Sequence, residues 1–588
     1  MSEVLDPHLR FVIDRAEKVG LDSIAESARF ALTEEEPSLV RVLVRCGGDP
    51  SELEGAGLRI ETVAGDIATA TTSVDGLREL ADHPAVEAIE GARPLVGELD
   101  VSVPQCRADV VHVSPPGLRG EGVIVGIVDS GIDWRHENFR RDDGSSRVLR
   151  IWEQFLEPVG KEAAPSGFTY GVEYTNEDID QALGSPQPLG VVRHLDDVVG
   201  HGTHVSGIAA GNGRAAGAGK AANTFVGVAP DADLILVSVR GGGARGIGDS
   251  ASALDAVAYV FQRAAELGRP AVVNMSLGDN LGAHDGTSLL ERGLDNLLGD
   301  PGKAMVKSAG NAGADGIHAR GAVPAGGEET VAFTVKTGDT SPETMDIWYD
   351  GNDRFEVSLT APDGTASVPV SPGTSTNLNL LNGNQVFVDS SLSDPNNGDN
   401  RIFIVLQPGT AGSLEDGEWS LTLRGTEVTD GRFDAWIQRG RIIARFNSPH
   451  EDQMVTISTP GTSEKMITAG CYISRSENGL GSLSVFSSRG PTRYGRPAPD
   501  VGAPGQTILS AARGPSPDPY VSMMGTSMAA PHVTGGVALM LQRNGGLDQQ
   551  RVKDCLRATA VGDQFAAHLP NDHWGAGKMN VEAAVAQI

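Results

Sequence analysis

At 588 residues with 39% hydrophobic side chains, the chain can bury more than one core, and no stretch is long and apolar enough to span a bilayer. A formal net charge of −30 argues against nucleic-acid or anionic-membrane partners, which need clustered Lys and Arg, and for a solvated acidic surface or adaptation to high salt. Cys46, Cys106, Cys471 and Cys555 are spread too thinly for a disulfide framework or a zinc site, so reduced structural thiols are expected.

The first residues, Met1-Ser2-Glu3-Val4-Leu5-Asp6, are charged and lack an apolar leader. The expectation is therefore a cytoplasmic protein, with non-classical export left open. Residues 1–34 read as a helical extension on the spacing of Leu9, Val12, Ile13 and Ala16. Residues 35–99 read as a small α+β module, with strands over 39–44, 58–63 and 67–72, a helix over 74–82 and a strand over 86–90.

From 100 to 315, strands and helices alternate as a doubly wound, mostly parallel sheet requires. The continuous apolar runs 123–128, 234–239 and 271–275 predict strands covered on both faces, and helices are predicted over 204–210 and 251–267. The same style resumes over 456–588. Between these parts, 316–455 carries short β-like runs (330–335, 354–359, 401–406, 419–423) and turns such as Asp350-Gly351-Asn352-Asp353. This predicts an inserted antiparallel β-sandwich, jelly-roll-like, rather than about 140 residues of structureless loop.

Three segments carry chemistry. Asp129 ends the apolar run of V-I-V-G-I-V-D-S-G-I-D, His201 lies in G-H-G-T-H-V-S-G-I-A-A-G, and Ser527 lies in G-T-S-M-A-A-P-H-V-T-G-G. A serine hydroxyl needs a base to take its proton, and the base needs an acid to fix its tautomer. Asp133 is the nearest rival to Asp129, while His194, His204 and His532 read as structural. A helix beginning beside Ser527 would aim free N–H groups at a developing oxyanion.

Together these segments resemble the subtilisin family of serine endopeptidases, over most of 103–315 and 456–588. The resemblance implies Ser527 as nucleophile, His201 as base, Asp129 as its orienting acid, and Asn311 of Val306-Lys307-Ser308-Ala309-Gly310-Asn311 as oxyanion donor. It implies an S1 pocket walled by Ser276-Leu277-Gly278 and Ser308-Ala309-Gly310, with Gly241-Gly242-Gly243 facing the substrate as an edge strand or loop. No acid stands in the two wall segments, so an apolar or broad P1 preference is expected.

By the same resemblance, 35–99 is a propeptide, inhibitor and chaperone in cis, cleaved after Leu99 or nearby, with Val96 in S4. An unrelated α+β binding module is the alternative. Arg147-Val148-Leu149-Arg150-Ile151-Trp152-Glu153-Gln154 and Tyr174-Thr175-Asn176-Glu177-Asp178-Ile179 resemble, more narrowly, the clostridial spore-germination proteases, which carry a jelly-roll insertion. No cofactor is implied. Structural calcium is common in the family, but no ligand set can be placed, and Asp394-Pro395-Asn396-Asn397-Gly398-Asp399-Asn400 matches a calcium loop only partly. The partners implied are a protein or peptide substrate and the chain's own propeptide. A catalytically silent binding scaffold and an exopeptidase are the alternatives.

Overall fold

The structure is a computed structural model that describes residues 4, 39–47, 53, 58–64, 67–91, 99–196, 199–219, 221–239, 249–439, 444–475, 479–516 and 518–588. The chain divides into two compact units, Met1–Val96 and Gly97–Ile588. The helical extension expected over 1–34, Val96 and the Gly241-Gly242-Gly243 loop lie outside the described residues, Val4 excepted.

In the first unit, β1 (Leu39–Cys46), β2 (Arg59–Ala64), β3 (Ile67–Ser73) and β4 (Val86–Gly91) form one sheet in the order β2-β3-β1-β4. Between β3 and β4 runs α1 (Val74–Ala81), whose start is fixed by Ser73, its hydroxyl accepting from Gly76 N–H at 3.0 Å. Alternate residues of β1 (Val40, Val42, Val44) and Leu77 and Leu80 of α1 close the core, as a half-buried strand against an amphipathic helix requires.

The second unit opens with α2 (Leu99–Gln105) and α3 (Ala108–Val113). Its main sheet begins with β5 (Ile124–Asp129), β6 (Val148–Glu153) and β7 (Val172–Thr175), followed by α4 (Asn176–Leu183) and α5 (His201–Ala210). Then come β8 (Asp233–Ser238), α6 (Ser250–Glu266), β9 (Ala271–Met275), α7 (Leu289–Leu297) and β10 (Lys303–Ser308). After the insertion the sheet is completed by β21 (Ile467–Ile473) and β22 (Val501–Gln506). The order is β22-β21-β10-β9-β5-β8-β6-β7, every pair parallel except β6–β7. Strands β5 and β8 are buried at every position, because helices cover both faces of a parallel sheet. Strands β6, β7 and β8 lie on one side of β5 and β9, β10, β21 and β22 follow on the other, so the carboxyl end of β5 is the topological switch point where such sheets open a crevice.

Among the described residues between β10 and β21 there are ten strands. Six of them are β11 (His318–Ala322), β12 (Glu328–Val335), β13 (Glu343–Tyr349), β14 (Arg354–Thr360), β15 (Ser375–Asn379) and β16 (Gln385–Ser391). The others are β17 (Asn400–Gln407), β18 (Gly417–Glu427), β19 (Arg432–Ile437) and β20 (Arg445–Phe446). They make two antiparallel sheets, β11-β19-β13-β17-β16-β15 and β14-β18-β12-β20, whose inner faces share one core of residues such as Phe333, Trp419, Ile347 and Phe433. Asp353 closes one edge by accepting from the N–H groups of Thr429 (2.5 Å), Asp430 (3.1 Å) and Gly431 (2.7 Å). Trp436 is stacked between His318 of β11 and His284 of the α/β part, with ring centroids 4.9 and 4.2 Å away.

Candidate active site

Asp129 is the last residue of β5 and has no exposed surface. Its Oδ1 accepts from Ser130 N–H at 2.7 Å and lies 2.7 Å from His201 Nδ1. Its Oδ2 is buried with no partner among the described residues. The contact fixes the imidazole with Nδ1 toward the acid. The helix carrying His201 starts at His201 itself rather than at the expected residue 204. Gly200, with φ 74° and ψ 31°, supplies the left-handed turn that lets it start there.

A buried acid that sequence reasoning did not single out ties the two segments together. Asp196 Oδ1 accepts from Ser130 Oγ at 2.8 Å, and its Oδ2 accepts from Thr203 N–H at 2.8 Å and from the Thr203 hydroxyl. Gly202 N–H donates to Ser130 Oγ at 3.1 Å. Asp196 is thus a positioning residue, and burial raises its carboxyl above the usual range. The one signal for it in the sequence is an acid five residues before His201.

Ser527 is the second residue of α8 (Thr526–Arg543), which follows Gly525, whose φ of 151° favours glycine. Of the first-turn N–H groups, that of Met528 donates to Gly525 O at 3.0 Å and that of Thr526 to Asn311, which leaves Ser527 N–H at the positive end of the helix to favour negative charge. Ser527 Oγ lies 3.5 Å from Ser276 O, while Ser276 Oγ donates to Ser527 O at 3.1 Å. Asn311 Oδ1 accepts from both Thr526 N–H (2.8 Å) and Thr526 Oγ1 (3.0 Å), which leaves its Nδ2 as a donor. A β-carbon at Gly525 would stand 3.3 Å from that Nδ2, so glycine keeps the approach open. Helices α5 and α8 pack against each other, which brings the His201 and Ser527 segments to the same side of the sheet.

A cavity of about 290 Å³ opens beside Ser527. Ser276, Leu277 and Gly278 line one side, and Ser308, Gly310 and Asn311 the other. Ala309 does not line it: it is buried in a small cluster with Ile457 and Ala498, and its N–H donates to Ala469 O at 2.9 Å. Asp279, Asn280, Arg439 and Ser458, which the sequence did not point to, also line it, with Thr526.

The other residues weighed from sequence have separate partners. Asp133 holds Arg135 Nε and Gly514 N–H, each at 2.8 Å. His204 Nε2 lies between Ile508 O (2.9 Å) and Val521 O (3.0 Å), and burial pushes its pKa down to about 3. His532, pushed down to about 4, spans Met528 O (2.8 Å) and Ser102 Oγ (2.9 Å), while His194 Nδ1 meets Glu153 at 2.7 Å. Leu99 begins α2 and belongs to the second unit. In the partial calcium loop, Asp394 Oδ1 accepts from Asn396 N–H, and Asp399 pairs with Arg493 and Tyr494. Among the described residues no group of three or more His, Cys, Asp or Glu is arranged to hold a metal.

Comparison with known proteins points the same way. The Subtilase family profile matches residues 120–404 and 437–577. The minor extracellular protease Vpr of Bacillus subtilis is 25% identical over 486 residues, covering 80% of this chain and 52% of Vpr. Serine protease AprX of the same species is 38% identical over 162 residues, covering 24% of this chain and 34% of AprX. The C5a peptidase of Streptococcus pyogenes is 28% identical over 454 residues, covering 72% of this chain and 34% of that protein. The chain therefore spans about half or less of the length of these relatives. Among solved structures, the Clostridium perfringens CspB protease superposes with a TM-score of 0.72 at 27% identity, covering 82% of this chain and 98% of that one. The expectation of a cytoplasmic location is corrected here. Vpr, matched over most of this chain, is extracellular by name, so the charged first residues do not assign a compartment. Among the described residues no helix is long and apolar enough to cross a membrane.

Proposed function

Because the chain belongs to the Subtilase family, we propose that it is a serine endopeptidase that cleaves protein or peptide substrates through an acyl-enzyme. Ser527 Oγ attacks the scissile carbonyl while His201 takes its proton, and His201 then returns the proton to the leaving amine. Asp129 keeps the imidazole in the right tautomer and stabilises its cationic form. The amide of Asn311 and the backbone N–H of Ser527 receive the oxyanion. A water then repeats the sequence on the acyl-enzyme and frees the acid. The observation that carries this reading is the 2.7 Å contact between Asp129 Oδ1 and His201 Nδ1 at the switch point of the sheet. The cavity beside Ser527, walled as an S1 pocket would be, supports it.

In the same reading, 35–99 is a propeptide removed by self-cleavage near Leu99, supported by the break between compact units at Val96 and Gly97. The residues after that junction are already anchored, with Ser102 buried against His532. The two antiparallel sheets sharing one core support an inserted jelly-roll-like domain. A fluorophosphonate probe tests the chemistry. Labelling of Ser527 in the wild type and none in Ser527→Ala is expected, and an unlabelled wild type overturns it.

A further inference from the structure

The apolar or broad P1 preference expected from the two wall segments takes no account of what lies beneath them. Lys307 is the penultimate residue of β10 and has no exposed surface. Its amine donates to Ser308 O and to Ser458 Oγ (2.9 Å) and lies 3.5 Å from Ser308 Oγ. All of these partners are neutral. Among the described residues no carboxylate forms an ion pair with it. Glu291, the acid that bears on it electrostatically, is occupied by Thr462 Oγ1 at 2.5 Å and Ser288 Oγ at 2.8 Å.

Ser308 and Ser458 line the cavity beside Ser527, and so does Gly278. A β-carbon at Gly278 would stand 2.9 Å from both Lys307 Nζ and Ser458 Oγ, so the amine lies directly behind the wall. Arg439 adds a second cation to the lining and is paired with Asp315 at 3.0 Å. The acid of the lining, Asp279, is engaged by Asn280 N–H at 2.7 Å, and burial favours its neutral form.

A buried ammonium without a counter-ion is costly, and an anion entering the pocket would supply one. We infer that the pocket selects substrates with an acidic residue at P1, with Lys307 as the specificity-determining group; this rests on the endopeptidase reading above. The P1 carboxylate accepts from the hydroxyl of Ser308, from that of Ser458, which turns away from Ala309 O (3.3 Å) to donate to it, and from the Arg439 guanidinium; Lys307 polarises both hydroxyls. Burial also pushes the Lys307 amine down to about 7.

The test uses the full chain and a series of peptidyl diphenyl phosphonates that differ at P1 alone (Glu, Gln, Leu, Lys), with a simple fluorophosphonate as reference. The rate of Ser527 labelling is read by mass spectrometry. The Glu probe is expected to react at least about tenfold faster than the Gln probe, and Lys307→Met to bring that ratio close to one. Should Lys307→Met fail to fold, Ser458→Val, which removes the intervening hydroxyl, is expected to lower the same ratio. Equal rates for Glu and Gln, or a faster Leu probe, with Ser527 still labelled by the fluorophosphonate, overturns the acidic preference and leaves the endopeptidase standing. No labelling of Ser527 by any probe overturns both.

Discussion

Gly202→Ala is the sharpest test of how the acid–base pair is held. A β-carbon at position 202 would stand 2.0 Å from Gly131 O, against an ordinary contact of 3.4 Å or more, so about 1.4 Å of separation is needed. The atom it meets is backbone, two residues beyond Asp129, and Ser130 already binds Gly202 N–H and Asp196. The strain therefore falls on the join between the end of β5 and the start of α5, across which Asp129 Oδ1 and His201 Nδ1 meet at 2.7 Å. A shift of that size costs about 100-fold in turnover when reacting groups must align to within about 1 Å. Overpacking itself costs about 1–3 kcal/mol of stability. The assay compares kcat/KM on a fluorogenic peptide with the thermal midpoint of the same preparation. The expected outcome is a folded protein, a few degrees less stable, with turnover lowered about 100-fold or more. Turnover within threefold of wild type would refute the reasoning, because it would mean that the Gly131–Gly202 approach does not set the carboxylate–imidazole contact.

Other consequences can be measured on the same material. Asn311→Ala should lower kcat by about 100- to 1,000-fold with little change in KM, a magnitude carried over from a subtilisin; an unchanged kcat would remove Asn311 from the oxyanion site. Intact mass should show a break near residue 99 in wild type and none in Ser527→Ala. A new N-terminus at Leu99, after Glu98, fits an acid-accepting pocket, whereas one at Asp100 counts against it. Asp353→Ala leaves the buried N–H of Gly431 and the more exposed ones of Thr429 and Asp430 without their acceptor and should cost about 1–3 kcal/mol. Because the loss is remote from Ser527, calorimetry should show a lower midpoint while peptide turnover persists. Lys307 is charged below about pH 7 and neutral above it. The Glu-over-Gln labelling ratio should therefore be largest in mild acid and fall as pH rises, while a bound carboxylate moves the midpoint upward. A ratio that climbs with pH would exclude Lys307 as its source. Of the charged groups around this amine, Glu291 is held by two hydroxyls, burial raises the Asp279 carboxyl, and Arg439 is paired with Asp315.

Local pattern made much of this architecture legible. The strands expected over 39–44, 58–63, 67–72 and 86–90 and the helix over 74–82 all appear within about two residues, because hydrophobic period and turn residues agree there. The switch-point position of Asp129 followed from an all-apolar strand ending in an acid. What escaped was decided by partners distant in sequence. Asp196 is an unremarkable loop acid until Ser130 and Thr203 are brought to it. Lys307 lies inside an apolar run, a hint in itself. Its role depends on Ser458, which reaches it only because the chain returns from the insertion to β21. The start of α5 was misjudged because a left-handed Gly200 can launch a helix with no side-chain cap.

The insertion also sets the order in which the machinery can assemble during synthesis. Strands β10 and β21 are neighbours in the sheet, yet every insertion strand is translated between them. Ser308 and Ser458, facing each other across the Lys307 amine, are likewise separated by the whole of it. A nascent chain therefore presents Asp129 and His201 early, gains Asn311 next, and receives Ser458 only after the insertion has emerged. Ser527 comes last of the five. If the proposed mechanism holds, a partly made chain lacks its nucleophile until the insertion is complete, a safeguard built into the order of residues alone.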